Sequence, residues 1–334
     1  MKIVSVVGKK NSGKTSLTTK IIKELTKRDY NVASIKHSHH TMEMDKENTD
    51  TWRHKQAGAN VVVGIGTTTF FNVKKDMDLE RLLFLIKHLD DIDYVIIEGF
   101  KKYNYPKIIT SADVKDEYTI AEVDSFKIDD EGIEKLADLI EKKGHDIIDT
   151  LYANTCGYND GEVIASKIRE GELKTSDLDK THSYLSIDGK VVGLNNFVSN
   201  YLKQSVSGII NTLNLKEFEV DEIKNIELLI PDCELKERSN SIEVMINNKN
   251  LKINKFTSNL LSNSITAMIE SLKTPENYKT TDIVITDEDI DVKLDGNTLD
   301  LNNFSKKILN QTITSQISAL KTESEIKEIK IKIE

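Results

Sequence analysis

Residues 8–15 have the types and the spacing of a phosphate-binding loop. The string G-K-K-N-S-G-K-T fits the pattern G-x-x-x-x-G-K-[ST] in full and stands between an apolar strand and a predicted helix. Two glycines allow the backbone to wrap around phosphate groups, and successive amides of the loop point inward at the anion. The helix that follows adds its positive N-terminal end. The residues predicted to contact phosphate are Gly8, Asn11, Ser12, Gly13, Lys14, Thr15 and Ser16.

Two side chains of this loop and one distant acid are the candidate catalytic and metal-binding groups. Lys14 is predicted to reach the β- and γ-phosphates, and Thr15 to offer its hydroxyl to Mg²⁺. The apolar stretch Tyr94–Glu98 ends in an acid, as a Walker B strand does. Glu98 stands where aspartate is usual, and it either holds Mg²⁺ through water or positions a nucleophilic water; the alternative is an acid that faces solvent. Lys14 and Glu98 are thus the candidate catalytic residues, and Thr15 and Glu98 the candidate metal ligands.

The sequence does not identify the residues that would contact the base of a bound nucleotide. Ordinary GTPases read guanine with the motif N-K-x-D, which is expected after a late strand of the sheet. A near match, Thr26-Lys27-Arg28-Asp29, lies at the end of the first predicted helix and before the second strand. It cannot reach a base from that place, so we interpret it as coincidence.

The elements that must position these residues alternate between strand and helix from residue 1 to about 145. This alternation predicts an α/β fold with a mostly parallel sheet covered on both faces, as in P-loop NTPases. The predicted strands are Ile3–Val7, Val32–Lys36, Val61–Ile65, Tyr94–Glu98 and Lys107–Thr110. The predicted helices follow Gly13 and span Thr49–Gln56, Leu79–Leu89 and Gly132–Lys143, and the next region, 146–180, reads as a linker around one helix, Glu162–Glu170.

Residues 181–334 contain three copies of one pattern, which predicts an α+β domain of three hairpin–helix–strand repeats. Each copy has a turn signal (Asp188-Gly189, Asn247-Asn248, Asp295-Gly296), a helix cap (Asn195, Asn254, Asn302) and then a phenylalanine. Apolar residues recur at helical spacing at Tyr201, Val206, Ile210 and Leu213, at Leu260, Ile265, Ile269 and Leu272, and at Ile308, Ile313, Ile317 and Leu320. A strand is predicted after each helix, at Ile226–Ile230, Ile283–Thr286 and Ile329–Ile333.

The bulk composition restricts the class of partner and the compartment. Lys and Arg number 46 against 55 Asp and Glu, and the net charge of −9 argues against nucleic acid as a partner. No apolar run reaches the roughly 18 residues of a membrane span. Two cysteines in 334 residues fit a reducing compartment, so we expect a cytoplasmic protein of more than one domain.

Several strings behind the loop, in residues 1 to about 112, together resemble the molybdopterin-guanine dinucleotide biosynthesis protein B (MobB) family. They are residues 35–40 (I-K-H-S-H-H), 44–46, 50–51, 57–59, 98–101 (E-G-F-K) and 106–108 (P-K-I). The resemblance implies a GTP- and Mg²⁺-binding homodimer with slow GTP hydrolysis. It further implies an adapter role toward a molybdopterin guanylyltransferase, a molybdoenzyme apoprotein or both, whereas the charge and the lack of a long apolar run are the reasons to expect no nucleic acid and no membrane partner.

The same resemblance assigns a basic segment after the second strand. Lys36, His37, His39 and His40 match the family at these positions, and they are predicted to bind the phosphate of a pterin or dinucleotide, or a metal-oxo anion. The alternative is a solvated loop at the end of a strand. This chain has Glu47-Asn48 where the family has Pro-Gly, which predicts a different loop before Trp52.

A second, smaller resemblance lies in the linker. Residues 154–177 are similar to a segment that holds a four-iron cluster in other proteins, which requires four thiolates. Only Cys156 is present there, and Cys233 is distant. We expect no iron–sulfur cluster and interpret the segment as a relic that keeps its helix.

Two other classes of protein share the loop. One is a small-molecule kinase or another P-loop NTPase, and the other is a scaffold that a nucleotide only stabilises. A kinase needs an acceptor base and a lid of arginines, and the three arginines Arg28, Arg53 and Arg81 form no cluster in sequence.

Overall fold

The computed structural model describes residues 1–38, 45–152, 156–158, 160–178, 181–213, 215, 222–231, 240–272, 274–275, 277–286, 289–320 and 325–334. They form two compact units, Met1–Asn196 and Phe197–Glu334. Within these described ranges no helix is long and apolar enough to cross a membrane.

The first unit alternates strands and helices as the sequence predicts. In chain order its elements are β1 (Lys2–Val7), α1 (Lys14–Lys27), β2 (Val32–Lys36), α2 (Asp50–Gln56), β3 (Val61–Ile65), β4 (Thr69–Val73), α3 (Leu79–Leu89), β5 (Tyr94–Glu98), β6 (Lys107–Ile109), β7 (Thr119–Glu122), α4 (Asp130–Lys143), α5 (Gly161–Glu170), β8 (Leu185–Ile187) and β9 (Lys190–Val192). Five of the strands form one sheet in the order β2-β5-β1-β6-β7. Every pair in it is parallel, so the prediction of a parallel sheet is confirmed.

The three central strands of the sheet, β5, β1 and β6, are buried, and for this reason β1 and β5 read as continuous apolar runs. Val4, Val6 and Ile96 pack against α1 and α4 in one core cluster. Ile3 and Val95 point the other way, toward α3, in a second cluster. Successive residues of one strand therefore anchor helices on opposite faces, which fixes the end of β1 beside the start of α1.

One predicted strand lies outside this sheet. β3 pairs with β4 as an antiparallel hairpin, and neither joins the parallel strands. The strands β4 and β7 were not predicted, because β4 carries its apolar residues on an exposed face and β7 is only four residues long. The prediction that residues 61–65 form a strand of the parallel sheet is therefore wrong in its pairing.

The region after α4 packs onto the first unit. Cys156 lies half-buried against a small cluster that contains Ile164, Ala165 and Ile168 of α5. The hairpin β8–β9 is also in this unit, where Val191 joins the core that contains Leu79 and Ile147. The predicted division at residues 145 and 180 stays a prediction.

The second unit has helices α6 (Asn196–Ile210), α7 (Lys255–Glu270) and α8 (Asn303–Ser318) and a six-stranded antiparallel sheet. Its strands, in chain order, are β10 (Ile242–Ile246), β11 (Lys249–Asn250), β12 (Thr281–Thr286), β13 (Ile290–Leu294), β14 (Asn297–Thr298) and β15 (Glu328–Ile333). The predicted caps are confirmed for α7, where the Asn254 side chain accepts from the Thr257 amide at 2.9 Å, and for α8, where Asn302 accepts from Ser305 at 2.8 Å.

The three predicted turns are confirmed by their backbone angles. Residues 188–189, 247–248 and 295–296 all have positive φ, between 48° and 82°, as a type I′ turn requires. The second and third repeats also have the predicted strand after the helix. The first repeat does not: residues 226–230 form no strand and are exposed, so that prediction is wrong. A strand needs a neighbour for its backbone groups, and among the described residues this segment has none.

Candidate nucleotide-binding site

The loop between β1 and α1 has a conformation that only its own residue types allow. Asn11 and Gly13 adopt left-handed backbone angles, with φ of 60° and 76°. A Cβ at Gly8 would lie 2.0 Å from Thr110 Oγ1, and a Cβ at Gly13 would lie 2.0 Å from Ser125 Oγ. Both glycines are therefore required by close approach, and at Gly13 by backbone angle as well.

Neighbouring loops hold the phosphate-binding loop in this shape. The Ser12 hydroxyl lies 2.6 Å from the Thr110 hydroxyl at the end of β6, and it also donates to the Lys9 carbonyl at 2.8 Å. Ser125, which follows β7, donates to the Ser12 carbonyl at 2.7 Å. The ends of β6 and β7 thus hold the loop in a fixed shape, which lowers the entropic cost of binding a ligand.

Lys14 extends across the loop, because its ammonium group donates to the Lys9 carbonyl oxygen. Burial lowers the pKa of Lys14, while the nearby Glu98 carboxylate opposes that shift. Ser16 lies in the first turn of α1 and Asn11 lies in the loop itself. All of the predicted phosphate contacts therefore belong to one short stretch of backbone at the carboxyl edge of the sheet, where ligands of open α/β sheets bind.

Glu98 and Thr15 meet beside the loop, as the sequence predicts for metal ligands. β5 is the neighbour of β1, so its last residue comes beside the start of α1. The Thr15 hydroxyl donates to Glu98 Oε1 at 3.0 Å, and the Lys36 ammonium lies 3.3 Å from the same oxygen. A hydroxyl and a carboxylate are the hard oxygen donors that Mg²⁺ takes, so these two residues fit the ion.

The basic segment begins at the same edge of the sheet. The His37 amide donates to the Glu98 carbonyl at 2.9 Å, and the His37 ring lies 4.2 Å from the Phe100 ring. Gly99 has φ of 106°, and a Cβ there would come 3.2 Å from the His37 Cβ. Lys36 and His37 thus border the Glu98 side of the loop, and His39 and His40 lie outside the described residues.

An acid that the sequence analysis overlooked lies on the opposite side of the loop. Thr110-Ser111-Ala112-Asp113 follows β6, the strand next to β1 on the side away from β5. The Lys9 ammonium lies 3.3 Å from Asp113 Oδ1, and the Lys9 amide donates to the Ser111 hydroxyl at 3.2 Å. Desolvation raises the pKa of Asp113, but hydrogen bonds from Ser111 and Lys9 outweigh it and leave that pKa below the usual value.

The position of Asp113 after a late strand could have identified it, whereas a search for the exact motif could not. The string T-S-A-D has the spacing of N-K-x-D and stands directly after a late strand, but it keeps only the final acid. A second overlooked residue is Phe126, whose ring is 76% exposed and comes 3.3 Å from a Cβ placed on Gly13. Asp113 and Phe126 thus follow β6 and β7, the two strands on that side of the loop.

Lys107, which belongs to the string 106–108 of the family resemblance, has a structural role. It is 2% exposed, its ammonium pairs with the Asp116 carboxylate, and it donates to the Lys101 carbonyl at 2.7 Å. The Tyr118 ring lies 5.1 Å from the same ammonium. This ion pair joins the start of β6 to the turn before β7, and it contributes to the site through the position of β6.

The described ranges contain no cluster of side chains that could hold another metal ion. No group of three or more His, Cys, Asp or Glu side chains is close enough there to hold an ion. Cys233 lies outside these ranges, so the prediction about the iron–sulfur segment stays a prediction.

The parallel sheet, the glycine loop and the strand-end acid together define a protein of the P-loop class. A family model described as "Molybdopterin guanine dinucleotide synthesis protein B" matches residues 3–128. A putative molybdopterin-guanine dinucleotide biosynthesis adapter protein of Methanocaldococcus jannaschii is 32% identical over 251 residues, which are 71% of this chain and 100% of that protein. The Haemophilus influenzae adapter protein is 34% identical over 159 residues, 43% of this chain and 89% of that protein.

The chain therefore belongs to the MobB family of molybdopterin-guanine dinucleotide biosynthesis adapter proteins. Among solved structures, Bacillus subtilis MobB is 35% identical, with 34% of this chain and 69% of that chain aligned at a TM-score of 0.31.

Proposed function

We propose that this chain binds GTP with Mg²⁺ and acts in the cytoplasm as a homodimeric adapter in the formation of molybdopterin guanine dinucleotide. Its partner would be the guanylyltransferase that attaches GMP to molybdopterin, the apoprotein that receives the product, or both. The names of the Methanocaldococcus and Haemophilus relatives support the adapter role. The observation that carries the nucleotide role is the prearranged loop, with Lys14, Thr15 and Glu98 on one side and Asp113 on the other.

The triphosphate end would be held by this chain's own backbone and three side chains. The amides of residues 9–15 and the N-terminus of α1 attract the phosphate oxygens. The Lys14 ammonium, which now donates to a loop carbonyl, would exchange that bond for the β- and γ-phosphates. Mg²⁺, when bound, neutralises phosphate charge, and the Thr15 hydroxyl and Glu98 carboxylate are the groups that would hold it.

The preference for guanine would come from Asp113. The Watson–Crick edge of guanine presents two adjacent N–H donors, and an ionised carboxylate accepts two such bonds in parallel. Adenine presents a lone pair at the corresponding ring nitrogen, which the same carboxylate repels. The exposed Phe126 ring offers an apolar surface for the flat face of the base.

Hydrolysis would be slow in the isolated chain. In the described part of the first unit, the arginines have partners away from the loop: Arg28 with Glu24, Asp138 and Glu141, Arg53 with Asp50, Arg81 with Ser186, and Arg169 with the Tyr118 ring. A positioned arginine contributes about 10³–10⁵ to the rate in efficient GTPases. We expect turnover below about 1 s⁻¹ on that basis, which also argues against a kinase with an arginine lid.

Calorimetric titration tests the nucleotide role. With Mg²⁺ present, the full chain should bind GTP at least about tenfold more tightly than ATP, because the Asp113 carboxylate accepts hydrogen bonds from guanine and repels the ring nitrogen of adenine. Equal affinities for the two nucleotides would refute the guanine assignment.

Capture from cell extract, with GTP or GDP on the bait, tests the adapter role. The guanylyltransferase or a molybdoenzyme apoprotein should be retained at a level that depends on the nucleotide. Retention of neither protein, with nucleotide binding intact, would leave a P-loop protein without the adapter function.

A further inference from the structure

Lys36 and Glu98 lie side by side at the carboxyl edge of the parallel sheet. They are register partners in the neighbouring strands β2 and β5. Val32 and Ile96 of the same strands pack with α1 in one core cluster, and Lys36 and Glu98 follow them at even spacing. Both side chains therefore leave the sheet on the face that carries α1, beside the phosphate-binding loop.

The Lys36 ammonium and the Thr15 hydroxyl share one carboxylate oxygen. Thr15 donates to Glu98 Oε1 at 3.0 Å, and Lys36 Nζ lies 3.3 Å from the same atom. The Glu98 side chain is 12% exposed and the Lys36 side chain 50%. The His37 amide donates to the Glu98 carbonyl at 2.9 Å and holds the two backbones together. The acid is thus fixed, whereas the ammonium on its long, half-exposed stem is able to move without the backbone.

A divalent ion and this ammonium compete for one ligand. Thr15 and Glu98 are the groups that would hold Mg²⁺, and Lys36 is already at ion-pair distance from the carboxylate oxygen that faces Thr15. Two positive charges so close to each other repel. Metal binding at these two residues therefore requires that Lys36 leave Glu98.

The surroundings of the displaced ammonium are positively charged. Burial is the main cause of the lowered pKa of Lys14; Glu98 opposes it, and the nearby charges of Lys101 and Lys36 add to it. Lys14, Lys36 and Lys101 therefore lie around a single acid, in a chain whose net charge is −9. Such a local excess of positive charge favours an anion that carries more charge than one carboxylate. The terminal phosphate of a nucleoside triphosphate is an anion of this kind.

We propose that Lys36 makes the site select a triphosphate over a diphosphate. In the absence of metal its ammonium neutralises Glu98, and with Mg²⁺–GTP it leaves Glu98 and binds the γ-phosphate. With Mg²⁺–GDP the ammonium has no terminal phosphate to bind and continues to compete with the ion for Glu98. This inference rests on the proposed binding of Mg²⁺ and GTP, and it adds the residue that distinguishes the two nucleotides.

Metal binding without nucleotide tests the competition at Glu98. Mn²⁺ takes the same oxygen ligands as Mg²⁺, and electron paramagnetic resonance measures the free ion during a titration of the full chain. Lys36→Met should lower the dissociation constant of Mn²⁺ at least about threefold, because the competing ammonium is gone. Lys102→Met is the matched control, since Lys102 is an exposed lysine in the segment after β5, and it should bind Mn²⁺ like the parent. The loss of a purely structural contact would not increase metal affinity.

Glu98→Gln separates the role of Lys36 from the metal site itself. This variant should weaken Mn²⁺ binding, because it removes the charge that both cations share. Unchanged Mn²⁺ affinity in Glu98→Gln would contradict the proposed metal site and this inference together. A response to Glu98→Gln without a gain in Lys36→Met would overturn only the role of Lys36.

Calorimetric titration at saturating Mg²⁺ tests the choice of nucleotide. The ratio of GTP affinity to GDP affinity should fall at least about tenfold in Lys36→Met, the scale of a charge-assisted hydrogen bond to phosphate, and stay at the parent value in Lys102→Met. Both variants should keep the circular dichroism spectrum of the parent. The same ratio in Lys36→Met and the parent would overturn the proposal, and a parent that binds neither nucleotide would contradict the proposed function first.

Discussion

Thr110 shows how single side chains set the geometry of the candidate site. Its hydroxyl lies 2.6 Å from Ser12 Oγ, and it fills the space that a Cβ at Gly8 would need. The same residue starts the string that ends in Asp113, so one strand end supports the phosphate side and carries the proposed base-reading acid. Because the loop is held by such contacts, its residues can be changed one at a time with separable effects.

Lys14→Ala is expected to abolish tight nucleotide binding. The variant removes the ammonium group that lies across the loop, and the loss should be at least about 100-fold in affinity for Mg²⁺–GTP, the scale of charge-assisted hydrogen bonds to phosphate. Calorimetric titration measures it. Lys10→Ala is the matched control, because Lys10 is an exposed lysine of the same loop. A Lys14→Ala protein that binds like Lys10→Ala would show that the loop does not hold the phosphates as proposed.

At the residue scale, the sequence predicts the residues on the phosphate side of the site but not those on the base side. Gly8, Lys14 and Thr15 belong to one contiguous motif, so their spacing already encodes their proximity. Glu98 is predictable because a strand beside the loop must end there. Asp113 and Phe126 come from two further strand ends, and only the strand order brings them to the loop.

At the scale of elements, the local sequence pattern predicts that a strand is present better than it predicts which strand it pairs with. The run 94–98 is a strand with the predicted bounds in the buried centre of the sheet, and the run 32–36 has the predicted bounds at the edge of the same sheet. The run 61–65 is also a strand, but a strand sequence does not state its partner, and it forms a hairpin with β4. The segment 226–230 is apolar enough to predict a strand, but it forms none, because no strand among the described residues pairs with it.

Gly13→Ala tests whether the connection between β1 and α1 is as tightly enclosed as its contacts indicate. The added methyl group would lie 2.0 Å from Ser125 Oγ, so either the loop or the segment after β7 must move. GTP affinity should fall at least about tenfold because the amide cradle is displaced. Titration and urea unfolding together separate this effect from general instability.

Gly171→Ala is the control for backbone strain alone. Gly171 has φ of 83°, close to the 76° of Gly13, but a Cβ there meets nothing within 4 Å. It should cost about 1–2 kcal/mol of stability and leave GTP affinity unchanged. Equal loss of affinity in the two variants would mean that strain, and not the contact with Ser125, governs the loop.

At the scale of the whole molecule, one buried histidine should make the first unit sensitive to acid. The His145 ring is fully buried, and its Nδ1 lies 2.9 Å from the Asp146 carbonyl, which can only accept; Nδ1 therefore carries the proton. Burial lowers the pKa of His145 to about 4 from an ordinary value of 6.5. The unfolded chain takes up a proton below pH 6.5 and the folded chain does not, so stability falls as the pH drops from about 6.5 to about 4.

His145→Asn removes this titration while it keeps an amide donor for the Asp146 carbonyl. Between pH 7 and pH 5 the parent should lose about 2 kcal/mol more stability than the variant. Urea unfolding followed by the fluorescence of Trp52, the single tryptophan, reports on the first unit. The same pH dependence in both proteins would show that other groups are responsible for the acid sensitivity.

The central claim is that the loop binds a guanine nucleotide and that Asp113 recognises its base. The most direct test is to titrate the parent protein and Asp113→Asn with the Mg²⁺ complexes of GTP, ATP and XTP. Xanthine carries a carbonyl where guanine has its amino group, and an asparagine amide can donate to that carbonyl. The parent should prefer GTP, and Asp113→Asn should lose at least about tenfold in GTP affinity and gain a comparable factor for XTP. If the order of the three affinities is the same in both proteins, Asp113 does not read the base and the claim is contradicted.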